Sequence, residues 1–146
     1  MTLVADILKT KTDPSLHTIG PAASVFEAVQ TMAQKNIGSL LVVDAGQIVG
    51  MLTERDYARK IVLMDRSSKV TPVSDIMSSP VMYVQPSRTS GECMALMTQN
   101  RLRHLPVLDG GKLVGLVSIG DLVKDIISEQ QFIIEQLEHY ITGQTV

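Results

Sequence analysis

A hydroxyl followed three residues later by an aspartate occurs twice in this chain, as Thr53-Glu54-Arg55-Asp56 and Ser118-Ile119-Gly120-Asp121. Such a pair suits a nucleotide: the hydroxyl donates to a phosphate oxygen, and the carboxylate accepts from two ribose hydroxyls. A helix starting there adds free N–H groups and a positive dipole, which attract phosphate. The preceding Gly50 and Gly115 leave room for a flat base to approach the backbone. The same spacing also caps a helix without any ligand. Two features weigh against a cap alone. The chain's other two helix starts, Ser24-x-x-Glu27 and Thr89-x-x-Glu92, use the longer glutamate, and the aspartate pair is duplicated in register.

The elements that must position these pairs are duplicated too. Asp44 matches Asp109, Gly46 matches Gly111 and Gly50 matches Gly115, with no gap before Thr53/Ser118 and Asp56/Asp121. Leu40–Val43 and Ile48–Leu52 read as strands around the turn Asp44-Ala45-Gly46-Gln47, and Asp109-Gly110-Gly111-Lys112 is the stronger turn signal of the second copy. Val25, Ala28, Val29, Met32 and Ala33 fall on one helical face, with Cys93, Met94, Leu96 and Met97 in the corresponding region. Ser24-x-x-Glu27 and Thr89-x-x-Glu92 predict capping boxes behind Pro21 and Pro86. A second helix follows each hairpin, over about 54–64 and 119–129. Each copy is therefore strand, helix, strand, strand, helix, an α/β (α+β) unit of a long-period repeat.

Val4-Ala5-Asp6-Ile7-Leu8 and Val73-Ser74-Asp75-Ile76-Met77 are matching lead-in segments. The expected organisation is repeat 1 over 1–65, a polar linker over 66–72, repeat 2 over 73–128, and a C-terminal helix and tail over 129–146. Ile127, Ile134, Leu137 and Ile141 carry a helical apolar stripe into that last segment, with no counterpart in repeat 1. It is expected to cover a neighbouring surface or a partner chain.

At 146 residues, with 45% hydrophobic and only 3% aromatic content, the chain has an aliphatic core. A repeat of about 60 residues is marginal alone, so the halves are expected to fold together. The formal charge of -2 gives no electrostatic reason to expect nucleic-acid or membrane binding. No apolar run is long enough to span a bilayer, the N-terminus lacks a signal-peptide pattern, and Cys93 is the only cysteine. A soluble, cytoplasmic protein is expected.

The two copies resemble CBS domains, and the chain from Val4 to about Ser128 resembles a stand-alone tandem CBS pair, or Bateman module. The resemblance rests on Gly50-Met51-Leu52-Thr53-Glu54-Arg55-Asp56 and Gly115-Leu116-Val117-Ser118-Ile119-Gly120-Asp121, with the strands before them and Val73-Ser74-Asp75-Ile76-Met77-Ser78 as a repeat opening. It implies two repeats packed by pseudo-twofold symmetry, with an adenosine ligand (AMP, ADP, ATP or NAD, less readily S-adenosylmethionine) in clefts between them. It also implies a homodimer formed through the CBS modules.

By position, the resemblance implies that Asp56 and Asp121 hold ribose hydroxyls and that Thr53 and Ser118 touch phosphate or ribose. Backbone at Thr18-Ile19 and Tyr83-Val84, the first strand of each repeat, would meet the adenine edge. Arg103-His104 stands where phosphate-binding members place basic residues, while repeat 1 has the uncharged Gly38-Ser39 there. Arg55, Arg59 and Lys60 instead enrich the first hairpin's helix, so the two sites should differ in affinity or phosphate preference. Arg59 and Lys60 also read as a solvated helix face, Cys93 and Tyr57 as packed core residues. His17 and His139 lack partners at metal-ligand spacing.

The function expected is regulatory adenine-nucleotide sensing, with the signal passing to a separate effector or to the assembly state. A second reading is an interaction scaffold with degenerate sites. A third, a nucleotide hydrolase, lacks a Walker loop, a metal-ligand cluster and a nucleophile–base pair.

Overall fold

The computed structural model describes residues 2–11 and 16–142. It is a mixed α/β chain in two compact units, and those units do not follow the sequence repeats. One comprises Ser15–Met82; the other joins Met1–Pro14 to Tyr83–Val146.

In the Ser15–Met82 unit, β1 (Thr18–Ile19) pairs in parallel with β2 (Ser39–Asp44), which pairs antiparallel with β3 (Gln47–Thr53). The β2–β3 turn places Ala45 and Gly46 at φ 50° and 79°, the left-handed pair that a two-residue hairpin requires. Between β1 and β2 runs α2 (Val25–Lys35). Ser24 caps it by accepting the Glu27 N–H, but the reciprocal half of the expected capping box is not formed. Val25, Ala28 and Met32 are buried as the spacing predicts, whereas Ala33 is exposed because it lies at the edge of that face. They pack with Leu40, Val42, Leu52 and Ile61, and with Val73 and Ile76 from the lead-in of repeat 2. The helix after β3 is short: α3 (Glu54–Tyr57) passes into a π-helical turn, Ala58–Val62.

The other unit repeats the pattern with a reduced sheet. Strands β4 (His104–Asp109) and β5 (Lys112–Ser118) pair antiparallel around Gly110 and Gly111, at φ 58° and 83°. The expected first strand at Tyr83-Val84 is only a bridge from Val84 to Val107. α4 (Ser90–Asn100) has the complete predicted box of Thr89 and Glu92. Its buried Cys93 and Met97 join Leu105, Val107, Val117 and Leu122, and with them Val4 and Ile7 of α1 (Val4–Thr10). Both hairpins carry a register shift at the same repeat position, Val42/Val43 and Val107/Leu108, so the duplication extends to an irregularity.

α5 runs unbroken over Ile119–Thr142. The helix expected after β5 and the C-terminal stripe are one element, with no boundary at 128/129; the tail 143–146 lies outside the described residues.

Candidate nucleotide sites

Each Thr/Ser-x-x-Asp sits where a hairpin's second strand turns into a helix, and each forms a capping box. The Asp56 carboxylate accepts the Thr53 N–H at 3.1 Å while Thr53 Oγ1 accepts the Asp56 N–H at 3.1 Å. Asp121 accepts the Ser118 N–H at 2.9 Å, and Ser118 Oγ accepts the Asp121 N–H at 3.1 Å. The capping reading of the spacing is thus realised, and the shorter side chain does not weigh against it: aspartate reaches where an extended residue enters the helix directly from a strand.

The two carboxylates differ in what else surrounds them. Asp56 is buried. Thr53 Oγ1 donates to its Oδ2 at 3.1 Å, Ser78 Oγ donates to Oδ1 at 3.1 Å, and Lys60 Nζ lies 3.3 Å from Oδ1. Lys60 also donates to the Ile76 carbonyl at 2.9 Å, so it braces the lead-in of repeat 2 rather than being merely a solvated helix face. Asp121 is more open, with a side chain 20% exposed. Lys11 Nζ lies 3.1 Å from its Oδ2 and donates to the Leu116 carbonyl at 2.7 Å. Its Oδ1 has no hydrogen bond among the described residues.

Next to Asp121 is a cavity of about 290 Å³, lined by Ile7, Thr10, Lys11, Asp121, Lys124, Asp125 and Ser128. Acidic and basic side chains both line it, and among the described residues the buried Asp125 Oδ2 has no hydrogen-bond partner. His104 lies opposite Ser118 in the hairpin, and the Ile119 N–H donates to the Arg103 carbonyl at 2.8 Å. Burial holds the His104 pKa below the ordinary imidazole value; the Lys11 and Arg103 charges add to that and Asp121 opposes it. The equivalent bond in the other unit runs from the Glu54 N–H to the Gly38 carbonyl, with no charge on Gly38 or Ser39.

Of the other predicted site residues, Thr18, Arg55, Tyr83 and Arg103 are exposed, Ile19 is half-buried and Val84 is buried. Thr18 and Ile19 pair with Leu41 and Val42, two and three residues along β2 from Ser39, which pairs with Thr53 on β3. The reading of Gly50 and Gly115 as openings for a base is corrected. A Cβ on Gly50 would stand 2.5 Å from Met77 Sδ, and one on Gly115 would stand 2.7 Å from a Leu8 methyl. The glycines make room for the lead-in segments. Lys11, Ser78, Leu8 and Met77 were not assigned to the sites from sequence. Their signal was the duplicated lead-in, in which Leu8 and Met77 occupy the same position.

A family model of the CBS domain matches residues 4–63 and 73–128. The chain belongs to the CBS family. Each matched CBS segment thus begins with a lead-in that packs in the unit holding the other segment's hairpin. A solved protein with CBS domains from Burkholderia ambifaria is 58% identical, with a TM-score of 0.84 over 88% of this chain and 96% of that one. The mitochondrial CBS domain-containing protein CBSX3 of Arabidopsis thaliana is 39% identical over 97% of this chain and 73% of its own length. CBSX2, solved in complex with AMP, shares the fold at 24% identity and a TM-score of 0.74, over 89% of this chain and 99% of that one. No helix among the described residues is long and apolar enough to cross a membrane.

Proposed function

We propose that this CBS pair is a regulatory module that binds an adenosine nucleotide, with Asp121 at the stronger site and Asp56 at the weaker. The observation that carries this reading is the contrast between two otherwise equivalent carboxylates. Asp56 is enclosed by Thr53, Ser78 and Lys60, so a ribose would have to displace the chain's own donors. Among the described residues Asp121 keeps one oxygen free of hydrogen bonds beside a cavity, with Lys11 and Lys124 on its lining and Arg103-His104 at the adjoining strand end. In this reading Asp121 accepts from the ribose, Ser118 and the start of α5 face phosphate, and Lys11 and Arg103 supply positive charge. Tyr83-Val84 would meet the base at this site, and Thr18-Ile19 with Thr53 and Arg55 would serve the weaker one.

AMP is the first ligand to try, since a protein of the same fold is known in complex with it. The module is non-catalytic in this reading, acts through its own assembly, such as a homodimer, or through a separate effector, and shifts either by no more than the ligand's difference in affinity between states. Calorimetry on ligand-stripped chain with AMP, ADP, ATP and NAD tests it. Asp121→Asn should weaken the tightest ligand about tenfold or more, and Asp56→Asn much less. Silence from all four with folded, empty protein would leave the interaction scaffold as the better account.

A further inference from the structure

From Val123 to Ile141, α5 carries an apolar face that its own unit does not cover. Val123, Ile127, Ile134, Leu137 and Ile141 are between 44% and 81% exposed. With Gln130 they stand at alternating spacings of four and three, the a/d seam of a heptad repeat. The opposite side of the helix is tied down, since Glu129 accepts a hydrogen bond from the Thr2 hydroxyl at 2.8 Å. A seam of this period is built for another helix.

We infer that this seam pairs antiparallel with the same helix of a second copy of the chain. Laid antiparallel in a single register, every seam residue finds a seam partner. Val123 faces Ile141 of the second copy, Ile127 faces its Leu137, and Gln130 faces its Ile134, each pair occurring twice. The flanking positions decide the orientation. In this register Lys124 comes beside Glu138 of the second copy, also twice. Ile133 then meets its own counterpart, and Ile126 meets Tyr140. A slip of one heptad sets Lys124 or Glu138 against Gln131 and loses both charge pairs. A parallel pair sets Lys124 beside Ile119 and Glu138 beside Ile133. Gln130, the one polar seam residue, faces an isoleucine in this register and in either one-heptad slip, so the choice of register rests on the flanking charges.

Charge also argues against a lipid surface as the occupant. From Asp125 to Thr142 the helix has Asp125, Glu129, Glu135 and Glu138 and no lysine or arginine, the reverse of a helix that binds anionic membranes. The pairing does not rest on the nucleotide reading, and because Lys124 also lines the cavity beside Asp121 it is measured on ligand-stripped chain.

Sedimentation of the full chain across a concentration series tests the pairing, with circular dichroism confirming that each variant is folded. Leu137→Glu places a charge in the seam at an exposed position and should raise the dissociation constant of one association step at least about tenfold. Lys124→Glu should weaken the same step by like-charge contact, and Lys124→Glu with Glu138→Lys should restore it. A dissociation constant unmoved by Leu137→Glu, or a double variant as weak as the single one, overturns the pairing. So does a wild-type chain that stays monomeric throughout; flotation of that monomer with anionic vesicles would then assign the seam to a membrane.

Discussion

Met77 fills the space in front of Gly50, and the fit is close enough that a single methyl on the glycine would stand 2.5 Å from its sulfur. Leu8 does the same to Gly115. In each case the side chain comes from the lead-in of one CBS repeat and the glycine from the hairpin of the other. Neither sequence repeat contains its own compact unit, because the residue that completes each hairpin's packing is encoded in the other repeat. Lys11 and Ser78 travel with these lead-ins to the two aspartates, so the exchange also shapes the candidate sites.

Gly50→Ala should therefore overpack the hairpin and cost about 1–3 kcal/mol in urea denaturation. The backbone carbonyl of Ser78, 3.1 Å from the added methyl, limits how far Met77 alone can relieve the crowding. In a Met77→Ala background the penalty should shrink markedly. Equal penalties in both backgrounds would mean that the close approach is not what selects glycine.

The aspartates should separate stability from binding. Asp56→Ala removes a cap and leaves the Ser78 hydroxyl and Lys60 ammonium without their acceptor, a loss of about 2–3 kcal/mol. Asp121→Ala removes a cap and the partner of Lys11 in a more open place, and should cost about 1–2 kcal/mol. Thermal and urea melts of the two variants without ligand make the comparison. A larger loss at Asp121 would contradict the contrast in their surroundings.

Much of this was legible in the sequence, for particular reasons. The hairpins were readable because Asp44/Asp109 and Gly46/Gly111 mark both turns, and the cores because valine, leucine and methionine recur at helical and strand spacing. The exchange of lead-ins was not, since a repeat reveals that two segments are alike and not which neighbour each one packs on. The gapless repeat likewise hid the shared register shift at Val42/Val43 and Val107/Leu108, because a bulge present in both copies leaves no insertion to detect. The continuity of α5 had a signal: no glycine or proline interrupts the chain between Gly120 and Thr142. Asp56 and Asp121 were legible as a pair from the repeat, but their shorter side chain, set against the glutamates of the other helix starts, did not weigh against capping. Whether an aspartate reaches the N-cap N–H depends on the local backbone, which spacing alone does not specify.

His104 gives the fold a defined pH response. Its folded pKa is lowered, chiefly by burial and then by Lys11, so just below the ordinary value of about 6.5 the unfolded chain binds more protons than the folded one. Its contribution is present above that value and is lost as the pH falls toward the lowered folded pKa. Stability should therefore decline on acidification below about pH 6.5, and less steeply in His104→Gln. Denaturation midpoints across that range for both proteins decide it; identical slopes would remove His104 as the cause.

Cys93 should be chemically silent in the folded chain. It is fully buried on α4 against the core of its unit. Burial pushes its thiol pKa up, with the Glu92 charge adding and Arg88 opposing, so little thiolate is available to react at neutral pH. A thiol-specific chromogenic reagent should label native protein only at the rate of unfolding and label it at once in denaturant. Under the proposed function, added AMP should slow the native labelling further, because binding lowers the population of the open form. Rapid native labelling would place the thiol at an accessible surface and contradict the packing of α4.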